Sequence, residues 1–262
     1  MDLIIVGVRD DQFSTEFAAF AQQHGYRVSI LDICEAAQLF SISIDSGQAT
    51  VMPNLPMLIR TSSTPPVRED FDRSFQLGEC FATLWAAAAL NQALVLNRPT
   101  THSFWGRISY SPELTKWRAG LREDTVEIFA SQAPPPQTER FNHQWYLQDI
   151  GTHEIEAWNT LLDGKGPYRA RWSEPNPTYE IVVVLNEKTW RCTTAALDHL
   201  DIEQKSIKIL QRLDLSFASV VWNVSHDVQS ATIVRVDPFP SFQQIQFVWS
   251  SLAPALLEVL FS

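Results

Sequence analysis

The sequence predicts an α/β fold in which a parallel β-α-β unit opens the chain and an α+β body completes it. Three observations carry that expectation. Residues 3–8, Leu-Ile-Ile-Val-Gly-Val, form a continuous apolar run of the kind found in strands buried on both faces. A helical pattern and a second strand-like run at 27–32 follow within about 30 residues, the span of a βαβ crossover unit, which closes right-handed. Farther on, residues 179–185 with 189–194, and 217–224 with 231–236, read as antiparallel strands.

Taken in order, Ser14 is the expected cap of a helix over 15–24 whose Phe17, Phe20 and Ala21 share a face. Gly25 supplies the stop, as a glycine just past a helix end does. Residues 41–45 and 49–52 alternate around Ser46-Gly47 as a hairpin, and 57–60 form a short strand. Pro65-Pro66 marks a loop. A helix is expected over 69–92, with Phe71, Phe75, Phe81, Leu84 and Trp85 as its apolar stripe, then a strand over 94–97 that ends at Arg98-Pro99. Pro134-Pro135-Pro136 reads as a stiff extended break. Residues 140–177 hold Trp145, Tyr146, Trp158, Tyr168 and Trp172 among turn residues. The hairpin at 179–194 turns at Asn186-Glu187-Lys188. A helix over 201–213 presents Ile202, Ile209 and Leu213, and an amphipathic helix over 247–261 closes the chain. No internal repeat is present.

Composition limits the function classes. Thirty acidic against twenty basic residues give a net charge of −10, and no basic patch offsets it, so nucleic-acid binding is not expected. The apolar stretch over 81–96 is broken by Asn91 and Gln92 and is too short to span a bilayer. The first residues lack a basic n-region and a cleavage site, so no signal peptide is expected. Cys34, Cys80 and Cys192 are odd in number and far apart, with neither a disulfide framework nor zinc spacing. A cytoplasmic protein is the expectation. The sequence holds no phosphate-binding glycine loop, no dinucleotide fingerprint, no zinc-protease helix and no nucleophile elbow. His143 and His153 lie in one loop-like region, where solvated or capping histidines are the ordinary reading.

Four stretches resemble the RimK-like ATP-grasp ligases, above all those that modify ribosomally made peptides, such as the microviridin ligases. Residues 3–32 are similar to that family's first β-α-β. Pro56-Met57-Leu58-Ile59-Arg60 is similar to its x-W-x-R-R strand, and Leu94-Val95-Leu96-Asn97-Arg98-Pro99 to its W-V-N-R-P strand end. Residues 210–238 resemble its ending, LGLxFAxxDxxxxxDGxxxFLEVNP. The resemblance implies an N-terminal pre-ATP-grasp domain over about 1–100 and an ATP-grasp body over 101–262. That body is expected to be truncated, with the central lid reduced at about 121–178. Shortened ATP-grasp-like proteins of this kind resemble those of crocagin-type peptide biosynthesis.

The same alignment predicts lost chemistry. Family members need oxygen ligands on adjacent strands for the magnesium that neutralises the triphosphate. Val221 stands where the family has its FAxxD aspartate, Arg235 where it has the LEVN glutamate and Asp237 where it has the asparagine. Ile181 matches the arginine of the ELRV strand, Arg107 the lysine after N-x-P, and Arg60 is what remains of the arginine pair. No cofactor is therefore expected, with ATP and magnesium binding both lost, and no catalytic residue is assigned. The expected function is a pseudoenzyme that binds a precursor or leader peptide in the biosynthesis of a ribosomally made natural product, as a homodimer or a heterodimer with a paralogue. Trp145, Tyr146, Trp158 and Trp172 are the candidate peptide contacts, with Arg169 and Arg171 pairing acidic side chains. The alternative is an active carboxylate–amine ligase with a diverged metal site, in which Asp237 ligates magnesium and Asp227 is an outside candidate. A third reading is a new chemistry in the old cleft.

Overall fold

The computed structural model of the chain describes residues 2–61, 71–100, 104, 106–108, 115–116, 118–121, 127–130, 144–149, 155–157, 168–173, 178–192, 201–224 and 230–262. Its first layer is a parallel sheet of β1 (Leu3–Val6), β2 (Val28–Leu31), β5 (Met57–Ile59) and β6 (Val95–Leu96), in the order β2-β1-β5-β6. Every residue of β1 is buried, as its unbroken apolar run requires. Strand alternation sorts that run into two cores. Leu3 and Ile5 join α1 (Gln12–Gln23) and the C-terminal helix Trp249–Leu260, while Ile4 and Val6 join α2 (Ile33–Leu39) and α3 (Phe71–Leu90).

Local chemistry sets the element ends. Asp11, not Ser14, caps α1: its carboxylate accepts from the Ser14 N–H at 3.1 Å and from the Ser14 hydroxyl at 2.5 Å, and Ser14 is buried inside the first turn. Asp has the longer reach and adds a charge that favours the helix N-terminus. Gly25 takes φ +89° after α1, the left-handed stop expected of it. Helix α2 was not expected; Asp32 and Glu35 form a reciprocal capping box there. The hairpin of β3 (Ser41–Asp45) and β4 (Gln48–Met52) turns at Ser46-Gly47 as expected. Phe75 departs from its expected stripe and is 64% exposed, whereas Leu84 is fully buried.

A second sheet occupies the stretch that reads as turns and aromatics. It contains β7 (Glu127–Ala130), β8 (Gln144–Asp149), β9 (Ile155–Ala157) and β10 (Tyr168–Ser173), all antiparallel in the order β7-β10-β8-β9. The third sheet, β12-β11-β13-β14, comprises β11 (Thr178–Leu185), β12 (Lys188–Arg191), β13 (Phe217–Val224) and β14 (Ala231–Asp237). Helix α4 (Ile202–Arg212) covers one of its faces, burying Ile202, Ile209 and, just past its end, Leu213 against Val182, Val184, Val220 and Trp222. A short helical turn, α5 (Phe242–Ile245), leads by way of residues 246–248 into α6 (Trp249–Leu260).

The Asn-Arg-Pro motif joins these parts. Asn97, at φ +53°, accepts from the backbone N–H groups of Ser216 and Phe217 and donates from Nδ2 to the Phe217 carbonyl at 2.6 Å. Arg98 donates to the carbonyls of Ala88, Ala89, Asn91 and Ala93, satisfying the open C-terminal end of α3. Replacing Asn97 by Ala leaves buried N–H and C=O groups without partners, at a cost of about 2–4 kcal/mol. Urea unfolding of Asn97→Ala measures this, and a loss below about 1 kcal/mol would show that the clamp is dispensable.

Candidate functional site

The sheet face opposite α4 carries the positions that the family resemblance singles out. Ile181 pairs with Val221 and Val221 with Arg235, so residues from three strands stand in one row. The next row on the same face is Val183, Ser219 and Asp237. A register shift between Val221 and Trp222 gives β14 an extra residue and brings Arg235 opposite Val221. The expected positional correspondences therefore fall where one ligand set would have to sit.

Those residues do not fit a magnesium–nucleotide group. Val221 has no donor atom and is nearly buried, and Ile181 is equally inert. Arg235 sets a permanent positive charge in that row, which repels a divalent ion. Asp237 is a single carboxylate, and its Oδ1 already accepts from the Phe239 N–H at 2.9 Å. Among the described residues no group of three or more His, Cys, Asp or Glu side chains is placed to hold a metal. Asp227 lies outside the described residues.

Arg60 is not a free cation facing a phosphate. Its side chain is 4% exposed, with Nε donating to Asp11 at 2.6 Å, Nη2 donating to the Pro240 carbonyl at 3.1 Å and the guanidinium stacked 4.0 Å over Phe13. It sits at the C-terminal ends of β1 and β5, where the chain leaves β1 to opposite sides, a place where open α/β sheets bind ligands. Here the chain's own residue Pro240 meets it. Arg107 is likewise engaged, ion-paired to Asp214 at 2.7 Å in the turn after α4, with its backbone N–H on Leu213. Sequence reasoning passed over Lys116, a lysine that is only 8% exposed; a buried lysine carries no signal in composition or periodicity.

The proposed peptide contacts divide. In the second sheet Trp172 stands opposite Trp145, and Arg171 opposite Tyr146. Alternation places Trp145 and Trp172 at positions of one face and Tyr146, Arg169 and Arg171 at positions of the other. Trp172 and the Arg169 and Arg171 positions thus lie on opposite faces of the sheet. Trp158 lies outside the described residues.

Solved structures share this architecture end to end. Macrocyclase MdnC from Microcystis aeruginosa MRC, bound with precursor peptide MdnA, matches at TM-score 0.65 and 12% identity over 100% of both chains. The fold is ATP-grasp. ATP-grasp ligase PsnB complexed with a minimal precursor matches at TM-score 0.69 and 10% identity, over 98% of this chain and 99% of that one. A RimK-domain ATP-grasp protein from Sphaerobacter thermophilus DSM 20745 matches at TM-score 0.61 and 12% identity over 100% of both. No family model matches the sequence, and no curated protein does. The likeness therefore resides in structure and not in residue identity.

The Arg60–Asp11 pair generates a pH signature. Burial favours the neutral form of the Asp11 carboxyl, but the hydrogen bonds and charge of Arg60 outweigh it and hold the group below its ordinary 3.8. Its stabilising contribution is present above pH 3.8 and is lost as pH falls through the lower folded value. Arg60→Gln strands a half-buried carboxylate and should cost about 2–4 kcal/mol at pH 7. Burial is then opposed only by the two Ser14 hydrogen bonds, so the deficit narrows as Asp11 protonates toward pH 3. Denaturant unfolding of both proteins from pH 7 to pH 3 reads this, and parallel stability curves would contradict it.

Proposed function

We propose that this chain is a peptide-binding protein of ATP-grasp fold that acts in the biosynthesis of a ribosomally made, modified peptide, without ATP-dependent ligase activity. The row Ile181–Val221–Arg235 carries this reading. The family resemblance assigns magnesium and phosphate to this face, yet the row offers two hydrocarbon side chains and a cation. Peptide recognition is supported by the fold, since MdnC and PsnB, whose chains align end to end with this one, were solved with precursor peptides.

The peptide is assigned to the second sheet, at the Trp145 and Trp172 positions. Adjacent tryptophans across a strand pair offer a large contact area at low entropic cost. The Tyr146, Arg169 and Arg171 positions form the opposite face, so a peptide lying flat meets one set or the other. A partner subunit, either a second copy or a paralogue, completes the proposal. Its motive is the aromatic content, nine Trp and fifteen Phe, with Phe75 and Phe247 exposed.

A random-peptide display library panned against the full chain tests the reading. Selected peptides should bind with Kd below about 100 μM, roughly −5.5 kcal/mol. Trp145→Ala and Trp172→Ala should each weaken them at least tenfold, about 1.4 kcal/mol, with melting temperatures within a few degrees of the parent. Arg169→Ala should leave affinity within threefold. Failure to select any peptide, or Trp variants that unfold or bind unchanged, would overturn the assignment.

A further inference from the structure

The β11–β13–β14 face holds a cation, Arg235, that forms no ion pair among the described residues. Among arginines whose side chains are described, most are visibly engaged. Arg9, Arg27, Arg60, Arg107 and Arg191 pair with carboxylates, and Arg98, Arg118 and Arg212 donate to backbone carbonyls. Among the described residues Arg235 has neither kind of partner, and it is exposed. Its row neighbours are Val221 and Ile181, and the next row on the same face carries Ser219 and Asp237.

An independent observation lies one row away. Ser219 is 0% exposed, and its Oγ has no hydrogen-bond partner. It shares the face with Arg235 and stands opposite Asp237. A buried hydroxyl left unpaired is rare in folded proteins.

We propose that Arg235 binds a single carboxylate of the bound peptide, on the face where the resembled ligases hold a metal ion. This deepens the peptide-binding reading above and rests on it. The sign of the ligand is inverted: a guanidinium in place of a carboxylate selects an anion and pairs with a carboxylate through two parallel N–H···O bonds. Asp237, in the adjacent row, sets the magnitude. Its own negative charge opposes a polyanion such as a triphosphate but tolerates one unit of charge beside Arg235. Ser219 Oγ supplies donor capacity on the same face. The carboxylate comes from an Asp or Glu side chain or from the peptide C-terminus.

The test uses peptides selected from the displayed library, measured by calorimetry against the full chain. Each peptide is made with its acidic side chains replaced by amides, and separately with its C-terminus amidated, which tells the two carboxylate sources apart. One of these neutralisations should weaken binding at least tenfold. Arg235→Gln should weaken the parent peptide by the same factor, and combining it with the neutralised peptide should produce no further loss. Arg235→Lys should retain part of the affinity, and Arg235→Glu should lose the most. Peptides that bind Arg235→Gln and the parent protein equally would overturn this inference while leaving the peptide-binding reading intact. Selection of no peptide at all would overturn both. Should Arg235→Gln unfold, the neutralised peptides on the parent protein still decide: unchanged affinity refutes the carboxylate contact.

Discussion

Asn97 clamps the end of β6 to the start of β13, and the geometry of the candidate site depends on that contact. One amide side chain serves the backbone of Ser216 and Phe217 at once and leaves no freedom to slide. The Phe217 ring then packs 6.0 Å from Phe13, and Phe13 lies under Arg60. Arg60 in turn holds Pro240, just past β14. A closed circuit thus runs from the parallel sheet to the start of β13 and the end of β14. It fixes where Val221, Arg235 and Asp237 stand relative to the C-terminal ends of β1 and β5. Arg98 secures the same motif to α3, which explains why the three residues Asn-Arg-Pro occur together at a strand end.

This circuit separates framework from chemistry. The elements that hold an ATP-grasp sheet in place survive: buried alternating strands, the Asn97 clamp, and the aromatic packing of Phe13, Phe17 and Trp249. The positions that the family resemblance assigns to a metal ion carry Val221 and Arg235. Packing selects for shape and apolarity, and Val and Ile satisfy it as well as any ligand residue does. A metal site demands specific oxygen donors, and a change from carboxylate to guanidinium reverses its charge. Packing on this face therefore does not depend on a set of oxygen donors.

Much of this was legible in the sequence, for physical reasons. Unbroken apolar runs such as residues 3–6 and 182–185 encode burial on both faces. Gly25 and Ser46-Gly47 encode turns because few other residues tolerate positive φ. Motif order singled out Ile181, Val221 and Arg235, but their alignment in one row was not readable. That depends on cross-strand register and on a shift after Val221 that no local signal announces. The cap at Asp11 was missed because Asp11 and Ser14 are both good capping residues, and only the start of the helix decides between them. The second sheet was missed because its strands are short and rich in polar residues; Tyr168-Arg169-Ala170-Arg171-Trp172 does alternate, which was the available signal. The role of Arg98 as a helix cap is a tertiary contact with no pattern of its own.

We propose that the face carrying Ile181, Val221 and Arg235 does not hold a magnesium–nucleotide group. Calorimetric titration of the full chain with ATP, with and without magnesium, decides this. No magnesium-dependent binding is expected at millimolar nucleotide. A magnesium-dependent Kd below about 0.1 mM, roughly −5.5 kcal/mol, would contradict it.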